Sequence, residues 1–240
     1  MGVTLEICAT TIQTALAMNR LGGQRIELCT AIELGGLTPN YGLIKACVQH
    51  TSLVVFVMIR HQQGGFVYHN QDIEVMLNDI EMTGDAQAHG VVFGCLTTEN
   101  NINIEQNKRL IEKAKKHRLG TTFHRAFDYC KDPFLALEQI IDLGFDRILT
   151  SGQQETAIIG IDLIEKLVLQ AKGRIEIMAG SGVNAANAQT IINTGIDALH
   201  FTVCKKSRIR SNLGMGNRCE VDENKIKSVI EILKPIKHDT

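Results

Sequence analysis

The sequence predicts an α/β chain folded as one TIM (β/α)8 barrel spanning residues 1–240, and three observations carry that expectation. Eight short apolar runs alternate with eight segments of helical periodicity, the rhythm of a parallel sheet whose crossovers are helices. The segment Leu21-Gly22-Gly23-Gln24-Arg25-Ile26 returns half a chain length later as Leu143-Gly144-Phe145-Asp146-Arg147-Ile148. Polar residues gather where the apolar runs end, which in a barrel is the rim that carries the site.

Leu5–Cys8 alternates with period two and opens the series, and Ile12–Leu21 follows with helical spacing. Arg25–Cys29 is the second strand, with Tyr41–Gln49 as its helix. The third unit is Val54–Ile59 with Gln71–Thr83, and the fourth is Gly90–Cys95 with Ile104–Lys116. Thr121–His124 leads to a helix over Pro133–Leu143, where Asp132 can cap the free amides and Pro133 lacks only a donor that would go unused. Arg147–Thr150 and Ile158–Ala171 form the sixth unit. Ile175–Ala179 and Ala185–Thr194 form the seventh, with Asn184 as cap and Gly195 as a left-handed stop. Ala198–Thr202 and a helix over Glu223–Leu233, capped by Asp222, close the barrel. The repeat falls on strands two and six, which are diametrically opposite in an eightfold barrel. No GxGxxG or Walker A motif follows the first strand, which disfavours an open doubly wound nucleotide-binding sheet.

Composition narrows the function classes. The 240 residues are 44% hydrophobic, and a chain of this length buries enough surface to fold without metal or disulfides. A formal charge of −1 gives no global attraction for nucleic acid or an anionic membrane, so a small or locally recognised ligand is expected. The start, Met1-Gly2-Val3-Thr4-Leu5-Glu6, has no targeting signal, and no membrane span is expected. Seven Cys, at 8, 29, 47, 95, 130, 204 and 219, form no CxxC pair, which predicts reduced thiols in a cytoplasmic protein.

Alternation in Leu5-Glu6-Ile7-Cys8 and Ile26-Glu27-Leu28-Cys29 turns the apolar residues to the helices and both Glu and both Cys into the barrel, on neighbouring strands. The two thiols are either small core fillers, the usual fate of free Cys, or soft ligands for an ion such as Cu(I). Glu6 and Glu27 either salt-bridge inside the barrel, for example to Arg60, or act as general acid or base with a pKa raised by burial. His124 could move a proton or ligate metal, Arg60 and Arg125 could clamp a carboxylate or phosphate, and Asp128 could orient one of them or pair structurally with Arg125. His200 on strand eight reads as a hydrogen-bonded core residue. Ser151, Gly152, Gly180, Ser181, Gly182 and Asn184 lie where loops after the later strands commonly hold phosphate, or they form tight turns that need Gly. No strand ends in Lys, and Lys205 is the nearest candidate, which disfavours a Schiff-base aldolase. The basic stretch from Lys205 to Arg218 reads as a solvated loop or a lid.

These same residues resemble the CutC family. The likeness runs through Arg25-Ile26-Glu27-Leu28-Cys29, Gly35-Gly36-Leu37-Thr38-Pro39, Val57-Met58-Ile59-Arg60, Val91-Val92-Phe93-Gly94, Thr122-Phe123-His124-Arg125-Ala126-Phe127-Asp128 and Leu143 to Gly152. The resemblance implies a TIM barrel, a cytoplasmic copper homeostasis role, homo-oligomers and a Cu(I) site on Cys8 and Cys29, with Met58 or His124 as a third partner. Three stretches depart from the family pattern. Arg60-His61-Gln62-Gln63-Gly64-Gly65-Phe66 replaces Arg-Pro-Arg-Gly-Gly-Asp-Phe, Ser181 interrupts a triple Gly, and the Ser-Ala after His200 is absent. The residues by themselves also support a lyase or isomerase acting on a small phosphorylated or carboxylated carbonyl compound. In that reading Glu6, Glu27 and His124 move protons while Arg60 and Arg125 hold charge. A binding scaffold is the third alternative.

Overall fold

The computed structural model describes residues 2–210 and 217–233. Its strands are β1 (Thr4–Ala9), β2 (Arg25–Leu28), β3 (Val54–Met58), β4 (Gly90–Phe93), β5 (Gly120–Phe123), β6 (Arg147–Thr150), β7 (Glu176–Gly180) and β8 (Ala198–Thr202). All neighbours are parallel, and β1 pairs with both β2 and β8, so the sheet closes in sequence order. The helices are α1 (Ile12–Arg20), α2 (Tyr41–His50), α3 (Asn70–Asp85), α4 (Ile104–Lys116), α5 (Pro133–Leu143), α6 (Ile161–Ala171), α7 (Ala188–Ile192) and α8 (Glu223–Leu233). The predicted TIM barrel is the observed one.

Strand alternation sorts the core into two spaces. Leu5, Ile7, Ile26 and Leu28 join Ile44, Ile73 and other helix residues in the layer between sheet and helices. Cys8, Cys29, Phe56, Met58 and Val92 form a separate cluster inside the barrel. Asp132 caps α5 by accepting from the Phe134 and Leu135 amides, and Asp222 accepts from the Lys225 amide in the first turn of α8.

The half-chain repeat has a physical content. Gly22 and Gly144 both take positive φ after their helices, and the repeat then delivers Arg25 and Arg147 to the floor of the barrel. Both guanidiniums reach Glu176, at 2.6 and 3.3 Å, and both lie over the Phe56 ring, at 5.9 and 4.2 Å from its centroid. The ring fits because β4 and β5 begin with glycine: a Cβ on Gly90 would stand 2.0 Å from Phe56 Cε1, and one on Gly120 would stand 3.1 Å from Cζ.

Four expectations are corrected. Helix α6 starts at Ile161, not Ile158, because Ile159 and Gly160 turn back onto the Thr156 carbonyl. Helix α7 spans only Ala188–Ile192, because the side chains of Asn184 and Asn187 close local turns on the amides of Ala186 and Asn184. The segment read as a solvated loop is instead an antiparallel ribbon, β9 (Cys204–Arg210) with β10 (Asn217–Val221); positions 211–216 of that reading lie outside the described residues. The ribbon brings Cys204 and Cys219 to a Cα separation of 5.4 Å, where they form a disulfide. The expectation of reduced thiols holds for Cys8, Cys29, Cys47, Cys95 and Cys130 only.

Gly90→Ala is expected to lower stability by about 1–3 kcal/mol, because the methyl group must displace a packed ring. Urea denaturation of this variant, alone and combined with Phe56→Leu, checks it. The cost should shrink once the ring is gone, and an equal cost in both backgrounds would contradict the packing.

Candidate functional site

A cavity of about 380 Å³ opens at the C-terminal ends of the strands, and its wall includes Cys8, Glu27, Met58, His124, His200 and Lys225. Residues from β1, β2, β3 and β8, the turn after β5, and α8 therefore converge on one space. Their environments differ sharply.

Glu6 lies just below the cavity and has both oxygens occupied. One faces His200 Nδ1 at 2.8 Å, and the other faces Arg25 Nε at 2.6 Å. Burial would raise its pKa, but the His200 hydrogen bond and the Arg25 charge outweigh that and hold the carboxyl below its usual range. The anticipated partner, Arg60, is not involved. Glu27 lacks any such support: it is 3% exposed, and its Oε2 has no hydrogen-bond partner. Burial, reinforced by the Glu6 charge and opposed by His200, pushes its pKa up to about 7. His200 sits between them, where burial pulls its pKa down but Glu27 and Glu6 raise it overall. It is the hydrogen-bonded histidine expected from sequence, and it also faces the cavity.

His124 is 3% exposed and caps the short turn Arg125–Tyr129 by accepting the Ala126 amide on Nδ1. That bond assigns the proton to Nε2, which has no partner. Burial, with the Arg60 charge adding, drives its pKa down to about 3, so the ring is neutral. His124 therefore keeps an Nε2 proton without an acceptor in the wall of the cavity, whereas Glu27 can exchange a proton near neutrality.

Other expected roles are redistributed. Arg60 spends its terminal nitrogens on the carbonyls of Leu34, Gly36 and Gly64, at 3.0, 3.0 and 2.7 Å, so it pins the loops after β2 and β3. Asp128 pairs with Arg125 Nε at 2.8 Å and accepts from Thr150 Oγ1, Ser151 N, Ser151 Oγ and Gln153 N. The protein's own carboxylate thus occupies the amide nest after β6, where Ser151 and Gly152 were expected to receive an anion. Gly152 is glycine because a Cβ would meet the Gly160 carbonyl oxygen at 2.2 Å. Gly180 is needed inside the barrel, where a Cβ would stand 2.7 Å from Leu149. Ser181, Gly182 and Asn184 do border the cavity. Ser181 holds φ +78° while its hydroxyl donates to the Glu155 carbonyl, and Asn184 Nδ2 donates to the Gly182 carbonyl.

Sequence reasoning missed Lys225. It lies in the first turn of α8, half-buried, with Nζ 2.6 Å from the Thr202 carbonyl and burial lowering its pKa. Its spacing after the Asp222 cap was the available signal, since the first turn of the helix that follows a strand meets the rim.

Two groups could hold metal. Cys8 Sγ and Cys29 Sγ are 3.1 Å apart, and Met58 packs in the same buried cluster. The Cys29 hydrogen bond, burial and nearby carboxylates raise the Cys8 pKa well above its usual value. Glu6, Glu27 and His200 place one ligand atom each within 4.8 Å of one another, but Arg25 already supplies a cation to Glu6 there.

Glu27 yields a pH prediction. Its folded pKa exceeds the ordinary 4.5, so the folded state binds more protons between the two values. Stability therefore falls as pH rises through that window, by about 3 kcal/mol in full. Glu27→Gln should be more stable than the parent near pH 8 and no more stable near pH 4. Urea denaturation at both pH values measures this, and a pH-independent difference would contradict a raised Glu27 pKa.

Comparison with known proteins gives a consistent answer. The CutC family pattern matches residues 3–205. A family protein CutC from Pasteurella multocida is 39% identical over 238 residues, covering 97% of both chains. Another from Parabacteroides distasonis is 44% identical over 241 residues, 94% of this chain and 98% of the relative. The crystal structure of a CutC from Streptococcus agalactiae, named for copper homeostasis, superposes with a TM-score of 0.79 at 35% identity, over 83% of this chain and 98% of that one. Thiamine phosphate pyrophosphorylase from Pyrococcus furiosus, at 15% identity and TM-score 0.60 over 96% and 95%, shares the fold alone. The chain belongs to the CutC family.

Proposed function

We propose that this protein binds Cu(I) through Cys8 and Cys29 and takes part in copper homeostasis in the cytoplasm. The 3.1 Å approach of the two buried sulfurs carries the reading. Soft thiolate ligands favour Cu(I) over hard cations, and Met58, packed in the same cluster, would bring a thioether as third soft donor. Cys8 borders the cavity, which supplies an entry path, whereas Cys29 is fully buried behind it. Bound Cu(I) would take the place of the thiol protons, which relieves the cost of two thiols crowded beside Glu27. The copper homeostasis name of the Streptococcus agalactiae relative supports the assignment. A reducing setting such as the cytoplasm would keep the Cys8 and Cys29 thiols free, while the Cys204–Cys219 bridge lies outside the pair. Among the described residues, no helix is long and apolar enough to cross a membrane.

Titration of the reduced protein against a colorimetric Cu(I) chelator tests this reading. One Cu(I) per chain is expected, and Cys8→Ser combined with Cys29→Ser should abolish binding. Met58→Leu should weaken it by about tenfold, the loss of one coordinating or second-sphere contact. Unchanged affinity in the double Ser variant would refute the sulfur pair as the site.

A further inference from the structure

Beyond the sulfur pair, the cavity carries polar groups with no partner of their own. His124 Nε2 bears a proton and has no acceptor, and Glu27 Oε2 has no donor, although both residues are more than nine-tenths buried. Leaving such an atom unpaired costs about 1–3 kcal/mol, so two of them on residues that line one cavity mark a place where a partner fits. Beside them, Lys225 uses Nζ on the Thr202 carbonyl and has protons left to give. Among the described residues, no acceptor receives the amides of Gly182 and Val183, which also border the cavity. Asp128 closes the alternative nest after β6, so the loop after β7 is the place left open to an outside anion.

These groups divide into two ends. An ammonium and two amides supply positive potential at the mouth. Deeper in, a neutral imidazole N–H and a carboxyl offer one donor and one acceptor. A single small molecule that satisfies both ends has an oxyanion at one terminus and a carbonyl or hydroxyl oxygen, with an adjacent hydroxyl, at the other. The space of about 380 Å³ falls in the range for small metabolites.

We propose that the cavity binds a short hydroxylated organic anion, a phosphate ester or a carboxylate. Its charged end sits between Lys225 and the Gly182–Val183 amides, and its hydroxylated end meets His124 Nε2 and Glu27. No sulfur serves as a contact in this site; because Cys8 lines the same cavity and lies level with Glu27, the site is tested with copper removed.

Isothermal titration of the full chain with glycerol 3-phosphate and with glycerate, in the presence of a Cu(I) chelator, tests the proposal. Inorganic phosphate and glycerol serve as comparators. At least one of the two hydroxylated anions should saturate a single site, and which one does so identifies the charged end. Glycerol should give no saturable signal, and inorganic phosphate should bind more weakly than the preferred hydroxylated anion. Lys225→Met should weaken binding by about tenfold or more, the loss of one charge-assisted hydrogen bond, and His124→Gln should do the same. His124 also caps a turn, so His124→Gln could misfold; Lys225 lies half-exposed on an outer helix, and its variant keeps the test decisive. Saturation by neither anion, equal binding of inorganic phosphate, or parent-like affinity in Lys225→Met would each overturn the proposal.

Discussion

The ion network on the barrel floor governs the rest of the interior. Arg25 bridges Glu6 and Glu176 at 2.6 Å each, and Arg147 joins the same Glu176 at 3.3 Å. Two guanidiniums and two carboxylates balance, so the set is neutral as a whole. Burying such charges is tolerable only when each is paired, and deleting one partner of a buried pair costs about 3–5 kcal/mol. The Phe56 ring under both arginines, admitted by Gly90 and Gly120, completes the floor. The sequence repeat around Arg25 and Arg147 supplies the two cations from strands two and six.

Upward from that floor, the network decides what each cavity residue becomes. Strand register puts Glu6 level with Arg25 and with His200, whereas Glu27 lies level with Cys8 and Phe56. Two strands with nearly the same sequence, Leu5-Glu6-Ile7-Cys8 and Ile26-Glu27-Leu28-Cys29, therefore hold carboxyls with opposite properties. Glu6 shares in the floor's charge balance and anchors His200. Glu27 lies beyond the reach of either arginine's hydrogen bonds, so burial dominates, and its proton is held to about pH 7.

That difference also marks how far the sequence is legible. Period-two alternation correctly turned Glu6, Cys8, Glu27 and Cys29 into the barrel, and the alternation of strands and helices read out the closed sheet, because both follow from local geometry. Register around a closed barrel is not local, so it was hidden that Arg25 rather than Arg60 would meet Glu6. The anion nest after β6 looked vacant because Asp128 folds into it from the β5 turn, a contact between segments more than 20 residues apart. Lys225 was overlooked because it belongs to a helix, and attention rested on strand ends. The Cys204–Cys219 bridge depends on a ribbon whose basic composition resembles that of a solvated loop.

Backbone contacts hold the loops around the cavity in place. The loop after β3, His61-Gln62-Gln63-Gly64-Gly65, is held by Arg60 through the Gly64 carbonyl. A carbonyl is present whatever residue supplies it, so the grip survives changes in side chain. Ser181 at φ +78° is likewise anchored by its hydroxyl bond to the Glu155 carbonyl, which offsets part of the backbone strain. The cavity therefore keeps its walls by main-chain anchoring. Glu6, Glu27 and His200, by contrast, lie on the strands themselves, where sheet register rather than loop sequence sets their neighbours.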